Sequence, residues 1–424
     1  MGDDRTGSRR DPLLRSDPLH SIALLALLLS APSGAATAAP LQKVLIVDDN
    51  AGPGVTTDSI QTAIDLASSG DLILVRPGEY APFALREKSL TIQADGPGVV
   101  VQAPVEVVGP IPGDAVLDGL DIRISGTSTL PLLAARTVAG TLWLEDLTVW
   151  NESQQQGIFG LGSAAVSIDQ CPDVVISDCT FRSGGLVINS SSSAAIFDTV
   201  IDARPVDPQS STFGAVGLRV SFTNLTTVGC TVRSADGRDA LFDPQLECDF
   251  PQPGGDGVQI TSSSAATLIE TVVTPGTGGI SEYPCSEDAP DGETYDVWFN
   301  SSLELTDLDW SARHLEVADP MVSGVPGKLT LEGTPTELAW VYASLPSPSS
   351  SLPIFTGALC VSPTAPLVFL GPVAEDGTLG LLVTIELPSA TAHFDLRLQP
   401  LFYSFEDTFV LGTPRSSTIL GQGF

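Results

Sequence analysis

The polar residues whose spacing could support chemistry concentrate in two segments. Arg233, Asp236, Arg238, Asp239, Asp243, Glu247, Asp249 and Asp256 occupy the first. Glu282, Glu287, Asp288, Asp291, Glu293 and Asp296 occupy the second. Clustered carboxylates with backbone carbonyls suit Ca²⁺, which takes about six to eight oxygen ligands. The run Asp236-Gly-Arg-Asp239 does not follow EF-hand spacing. A solvated acidic loop with surface Arg–Asp pairs is the simpler account of it. Trp143, Trp150, Tyr283, Tyr295 and Trp298 offer faces on which sugar rings stack when exposed; under loops or on a solenoid flank the same rings are packing. The only histidines are His20, His314 and His393, and no GxSxG, HExxH, phosphate-loop or dinucleotide fingerprint occurs.

Such segments need a scaffold, and the sequence repeats one. Residues 185–200, 217–232 and 257–272 each run Gly-apolar-x-apolar, polar turn, second short strand, then Thr and an apolar residue. Residues 166–181 end in the same register. A unit this small cannot bury its own apolar face, so the copies must stack into a β-solenoid. Ile188, Ile196, Val220, Val228, Ile260 and Leu268 are then the inward ladder positions. The Ser-rich turns at 190–193 and 262–264 can stack hydroxyls, a structural role. Insertions at about 202–216, 233–256 and 274–295 interrupt the repeat at one position, so they emerge side by side on one face. Cys248 and Cys285 fall in consecutive insertions and are predicted to form a disulfide. Cys179 and Cys230 sit two rungs apart, about 9–10 Å, which is too far for a bridge.

The chain has 424 residues, 42% hydrophobic but only 6% aromatic, with 40 Gly and 33 Pro. This composition suits many short strands joined by turns. The net charge of -32, from 51 acidic and 19 basic residues, excludes nucleic acid as a natural partner. Arg9, Arg10 and Arg15 precede the apolar run 22–29 and the small residues Ala36-Thr-Ala38. A signal peptide over 1–38 follows, and the protein is expected to be secreted or held at the cell surface, with no transmembrane segment after signal removal. Ile60, Ala63, Ile64 and Ala67 have helical spacing behind Asp58 and Ser59, so a helix is predicted to cap the open end of the solenoid. The repeat fades after about residue 318. Residues 324–424 alternate strand candidates with Pro/Ser turns and are predicted to form a small antiparallel β-sandwich.

Ser59-Ile-Gln-Thr-Ala-Ile-Asp65, Gly70-Asp-Leu-Ile-Leu-Val-Arg-Pro-Gly-Glu-Tyr80 and Lys88-Ser-Leu-Thr-Ile92 together resemble the opening of right-handed parallel β-helix proteins of the pectin-lyase-like superfamily. Asp173–Phe181 resembles their generic repeat. The resemblance covers residues 42–318. It implies an all-β fold: a right-handed parallel β-helix with an N-terminal capping helix, ahead of the C-terminal β-sandwich. It says less about activity, because the scaffold serves many functions. The β-helix polysaccharide lyases use Ca²⁺ to neutralise a uronate carboxylate and Arg or Lys to take the neighbouring proton. The resemblance would make Arg233 or Arg238 the base and Asp236, Asp239, Asp243 and Asp249 the metal ligands. The Gly-His-Gly segment of the polygalacturonases has no counterpart, since the central solenoid lacks His. The Gln-Asp-Thr and Asp-Phe-Ile-Phe-Gly signatures of pectin methylesterases are also missing. The expected function is binding of extracellular polysaccharide, with lyase-type activity as its enzymatic form. The alternative is a non-catalytic structural or adhesion protein of the cell surface.

Overall fold

The computed structural model describes residues 42–50, 52–124, 130–151, 164–204, 214–239, 242–243, 247–248, 251–281, 288–306, 313–350, 355–387, 391–404 and 408–422. The N-terminal part winds as a right-handed parallel β-helix with three strands per turn. One rung shows the pattern. Val166–Asp169 joins sheet I, Asp173–Ser177 joins sheet II and Thr180–Arg182 joins sheet III. Sheets I and III have eight strands each, and sheet II has ten.

Alternation along each strand sends every second side chain inward. Ile168, Ile188, Val220 and Ile260 therefore stack in register through sheet I, all fully buried. Each such side chain contributes about 1.5–3 kcal/mol by leaving water. The corners are regular too. Ser191 N–H donates to Thr223 Oγ1, Thr223 N–H to Ser264 Oγ, and Ser264 N–H to Ser301 Oγ. The Ser-rich turns thus satisfy the corner amides of the coil. The corner after sheet II places Gly119, Asp146, Asp178, Asp198, Gly229 and Glu270 in the left-handed region, with φ from 43° to 71°. Asp tolerates that region better than most residues, and the result is a file of aspartates on successive rungs.

One inward position needs correcting. Thr227, not Val228, pairs with Ile196 and Leu268 and points into the core. Val228 pairs with Phe197 and Ile269 on the outer face. Asn189 and Ser193 bracket a three-residue corner, whereas Ser221 and Asn224 bracket a two-residue one. Losing one residue turns the following strand over.

The helix Ile60–Leu66 buries Ile60, Ala63 and Ile64. Ser59 caps it by accepting from Thr62 N–H, and Lys88 Nζ donates to the carbonyl of Ile64 at 2.7 Å. Gln61 Oε1 accepts from Ala84 N–H at 2.7 Å, tying the helix over the first turn of the coil.

Beyond Ser302–Thr306 the chain forms two antiparallel layers. His314–Val317, Pro326–Glu332 and Thr378–Thr384 make a three-stranded sheet. Arg415–Leu420, His393–Tyr403, Leu338–Ser344 and Leu367–Pro372 form the body of a six-stranded sheet. Leu315, Leu331, Val341, Leu398 and Phe402 fill the sandwich between them. This sandwich packs on the outside of sheet II, where Trp143, Val175, Ala195, Phe197, Val228 and Ile269 meet Ala358 and Cys360.

Cys179 and Cys230 are free and buried, as their spacing required. Burial pushes the Cys171 thiol up to about 11 and the Cys230 thiol up to about 12, which keeps both protonated. The predicted Cys248–Cys285 pair and the predicted signal peptide lie outside the described residues and side chains. Among the described residues, no helix is long and apolar enough to cross a membrane.

Candidate functional site

Sheet III presents a distinctive outer column. Asp121–Ile124, Thr148–Asn151, Thr180–Arg182, Val200–Asp202 and Thr231–Arg233 pair so that Arg123, Trp150, Arg182, Asp202 and Arg233 follow one another on successive rungs. Their chain neighbours Ile122, Val149, Phe181, Ile201 and Val232 are fully buried. The period of two therefore forces the polar partners out. The parallel column beside them carries short side chains: Asp121, Thr148, Thr180, Val200 and Thr231.

Charge is locally inverted here. These outward positions, with Arg204 just beyond them, hold four guanidinium groups and two carboxylates, in a chain of net charge -32. Arg123 Nε donates to Asp121 at 2.7 Å, and its guanidinium carbon lies 5.9 Å from the Trp150 ring centroid. Arg204 grips Asp202 with two bonds of 2.8 and 2.6 Å. Burial alone would raise the Asp202 pKa. The Arg204 hydrogen bonds and the nearby Arg233 charge outweigh it and hold that carboxyl below its ordinary range. Arg182 and Arg233 are exposed, and no ion pair involves either among the described residues. With rungs about 4.8 Å apart, Arg123, Arg182 and Arg233 recur about every 10 Å. Guanidinium forks take carboxylate or sulfate in two-pronged fashion, and a tryptophan face takes a sugar ring.

The insertions form something different. Segments 214–217, 234–239, 251–257, 274–280 and 288–294 run side by side, without ladder pairing. Gly255 N–H donates to Ala235 O, Gly276 N–H to Gly255 O, and Gly292 N–H to Gly276 O, each at 2.9 Å. Gly214-x-x-Gly217, Gly254-x-x-Gly257 and Gly276-x-x-Gly279 repeat every third residue. That is the period at which an extended three-per-turn chain returns to one face. Backbones approach so closely that a Cβ on Gly237 would lie 1.8 Å from Gln252 O.

The acidic residues of the insertions stitch this bundle together. Asp236 Oδ1 accepts from Thr277 N–H at 2.8 Å, Asp239 Oδ1 from Ile280 N–H at 2.7 Å, and Asp291 Oδ1 from Gly278 N–H at 2.7 Å. Asp236 and Asp239, expected as metal ligands, therefore each commit an oxygen to a backbone amide. The Asp243 side chain and Asp249 lie outside the described set. Arg238 is half-buried in the bundle, while Arg233 belongs to the sheet III column.

The aromatic candidates separate as well. Trp150 stands in the column. Trp143 is 1% exposed beneath the sandwich, with the Arg397 guanidinium carbon 4.3 Å from its ring centroid. Tyr295 packs against the coil interior, Trp298 is half-exposed and donates to Asp296, and Tyr283 lies outside the described residues.

Metal-capable groups occur at the seam between coil and sandwich. Ligand atoms of Asp178, Asp198 and His314 lie within 4.8 Å of one another. Arg415 already supplies positive charge there, 3.0 Å from Asp178 and 3.3 Å from His314 Nε2, and it reaches Glu145 at 3.2 Å. Burial pushes Asp178 up to about 7, and the hydrogen bond to Asp198 raises His314.

Arg123 and Arg182 were not singled out by sequence reasoning. The signal was present, since each follows an inward residue of the third strand, as in Ile122-Arg123 and Phe181-Arg182. Reading the outer columns as well as the inner ladder would have found them.

No protein-family model matches the chain, and no curated protein matches it. Among solved structures it is similar to the enzymatically active domain of tailspike protein 2 of bacteriophage CBA120. That likeness has 8% identity over 86% of this chain and 74% of the other, with a TM-score of 0.21. It is also similar to the full-length tailspike protein 2 of the Escherichia coli O157:H7 bacteriophage CAB120, at 9% identity over 86% and 66% of the two chains and a TM-score of 0.22. Likenesses this slight carry no argument, and the fold rests on strand pairing. Three in-register parallel sheets behind a capping helix make this chain a right-handed parallel β-helix protein.

Proposed function

We propose that this protein binds an extracellular anionic polysaccharide along the outer face of sheet III. The observation behind the reading is the file Arg123, Trp150, Arg182 and Arg233 at rung spacing, in a chain that is otherwise strongly acidic. A net charge of -32 repels polyanions at long range. Physiological salt screens that field beyond about 8 Å, so contact is decided by the local surplus of guanidinium groups. Trp150 adds a stacking face beside the charge. An extended polymer suits the column, because the arginines recur along a line. A signal peptide over 1–38, as the sequence leads one to expect, would bring the protein to where such polymers occur.

Binding requires only this column. Lyase chemistry would also need a base beside a cation-neutralised carboxylate, and Asp236 and Asp239 give part of their ligand capacity to amides. The test is retention on immobilised polysaccharides, acidic and neutral, by wild type and by Arg182→Ala/Arg233→Ala. Selective retention on acidic polymers, lost in the double variant, is expected. Equal retention of wild type and the double variant, or equal retention on neutral polymers, would overturn the proposal. Absorbance of unsaturated product, with Ca²⁺ and with chelator, tests the enzymatic form separately.

A further inference from the structure

The outer column of sheet III has a second period besides its strand spacing. In register along the coil, Gln102 precedes Arg123 and Thr274 follows Arg233. Arg123, Arg182 and Arg233 thus hold every second rung of the column. Gln102, Trp150, Asp202 and Thr274 hold the rungs between and outside them. Strand stability disfavours like charges on adjacent rungs, and a carboxylate beside each arginine would serve it best. Only Asp202 is a carboxylate, and Arg204 grips both of its oxygens, at 2.8 and 2.6 Å. The other three are uncharged.

The arginines also differ in what they offer. Arg123 shares its fork with Asp121. Arg182 and Arg233 are exposed, so two open forks stand two rungs apart, about 10 Å. On the rung between them the Asp202–Arg204 pair is neutral and its fork is filled. On the other side of Arg182 the rung carries the Trp150 ring, whose face is electronegative. The short side chains from Asp121 to Thr231 leave a trough beside the column, parallel to the coil axis. A polymer in that trough crosses the rungs, and each pyranose of an extended chain advances it by a length close to one rung. Alternate arginines then face alternate sugars.

We propose that this column selects a polysaccharide with an alternating repeat, carrying one carboxylate or sulfate on every second sugar, over a polyuronate charged on every sugar. The inference rests on sheet III being the binding face, and it names the class of polymer. Anionic groups on alternate sugars meet Arg182 and Arg233, which bind them in two-pronged fashion. The sugars between face Trp150 or the Asp202–Arg204 pair. A further carboxylate there would meet the electronegative ring or a filled fork, and would shed water without gaining a partner. Asp202 is the specificity-determining residue, because it keeps Arg204 from serving the intervening sugar.

The test is affinity electrophoresis of the full chain at pH 7 in about 0.15 M salt, where long-range attraction is screened. Hyaluronan carries a carboxylate on every second sugar, β-linked polyglucuronate carries the same uronate on every sugar, and hydroxyethyl cellulose is neutral. Hyaluronan should bind about tenfold more tightly than polyglucuronate, against the order that charge density alone would give. In Asp202→Asn the Arg204 fork is released, and that ratio should fall towards one. Polyglucuronate binding wild type as tightly as hyaluronan, or more tightly, would overturn the alternation and leave sheet III as an anion-binding face. If neither acidic polymer binds better than hydroxyethyl cellulose, the binding face itself is wrong and the inference goes with it. An unchanged ratio in Asp202→Asn would overturn the role of Asp202. The wild-type comparison decides the polymer class without any variant.

Discussion

Sheets II and III are built by the same rungs around the same aliphatic core, yet one outer face is sealed and the other is open. Both carry a tryptophan beside an arginine. On sheet II, Trp143 lies under the sandwich, which contributes Arg397. On sheet III, Trp150 is only half-buried, and its arginine, Arg123, comes from the neighbouring rung. The flanking residues decide the difference. Val175, Ala195, Phe197 and Val228 make sheet II an apolar wall that demands a cover. Arg182, Asp202 and Arg233 make sheet III stable in water. The same ring is therefore mortar in one place and left open to solvent in the other.

Truncating the two tryptophans tests that contrast most strongly. Trp143→Ala should cost about 3–5 kcal/mol, the usual loss for a large buried ring. It also removes one donor to Glu145 Oε2, which accepts from Trp143 Nε1 at 2.7 Å and from Ser416 N–H at 2.8 Å. Trp150→Ala should cost about 1 kcal/mol or less in stability and should weaken polysaccharide retention. Urea denaturation of both variants is the measurement. Equal destabilisation would show that sheet III is sealed in the same way as sheet II.

The bundle of insertions gives the next largest effect. A Cβ on Gly255 would sit 2.2 Å from Ala215 O, a backbone atom that cannot step aside. Gly255→Ala should destabilise by about 1–3 kcal/mol through overpacking. Hydrogen exchange should rise at the amides of Gly255, Gly276 and Gly292, while the ladder amides of sheet II stay protected. Faster exchange throughout the coil would mean that the bundle and the rungs unfold together. The double variant Arg182→Ala/Arg233→Ala should stay within about 0.5 kcal/mol of wild type, because surface residues of this kind carry little stability. A larger loss in urea would make the column structural.

The inner ladder was legible in the sequence because Ile188, Val220 and Ile260 each fall at the same short distance after a glycine. The cap was legible because Ser59 and the spacing of Ile60, Ala63 and Ile64 have a local cause. Outer faces were harder. They depend on corner lengths, and a single missing corner residue moved Val228 from the core to the seam. The sheet III column needs five rungs aligned at once, so Arg123 and Arg182 carried no local signal beyond strand alternation. The sequence of the acidic insertions left a solvated loop and cation ligands both open, because it shows charge and not the backbone amides that Asp236 and Asp239 accept from. Trp143 could not be placed until the sandwich was docked.

The two faces should also respond differently to pH, with the smallest effect of the set. At the seam, burial pushes Asp178 and Asp319 up to about 7, and the hydrogen bond to Asp198 raises His314. An acid whose folded pKa exceeds its unfolded value keeps its proton on folding, so its stabilisation is full below about pH 4 and is lost as pH rises through about 7. His314 has the same sign: its contribution is present below about 6.5 and disappears as pH passes its raised value. His393 acts in the opposite sense, because burial lowers it and its contribution is lost as pH falls. Glu145, Asp146, Glu316 and Asp395 add like charge around the acids, and Arg415 offsets part of it. The urea midpoint should therefore fall between about pH 4 and pH 8, and Asp319→Asn should flatten the slope. Guanidinium groups as a class keep their charge at every pH in this range. Retention on a sulfated polymer, whose charge is also fixed, should stay constant from about pH 5 to pH 8. A retention curve that tracked the urea midpoint would tie the open face to the seam, and the two could no longer be treated as independent.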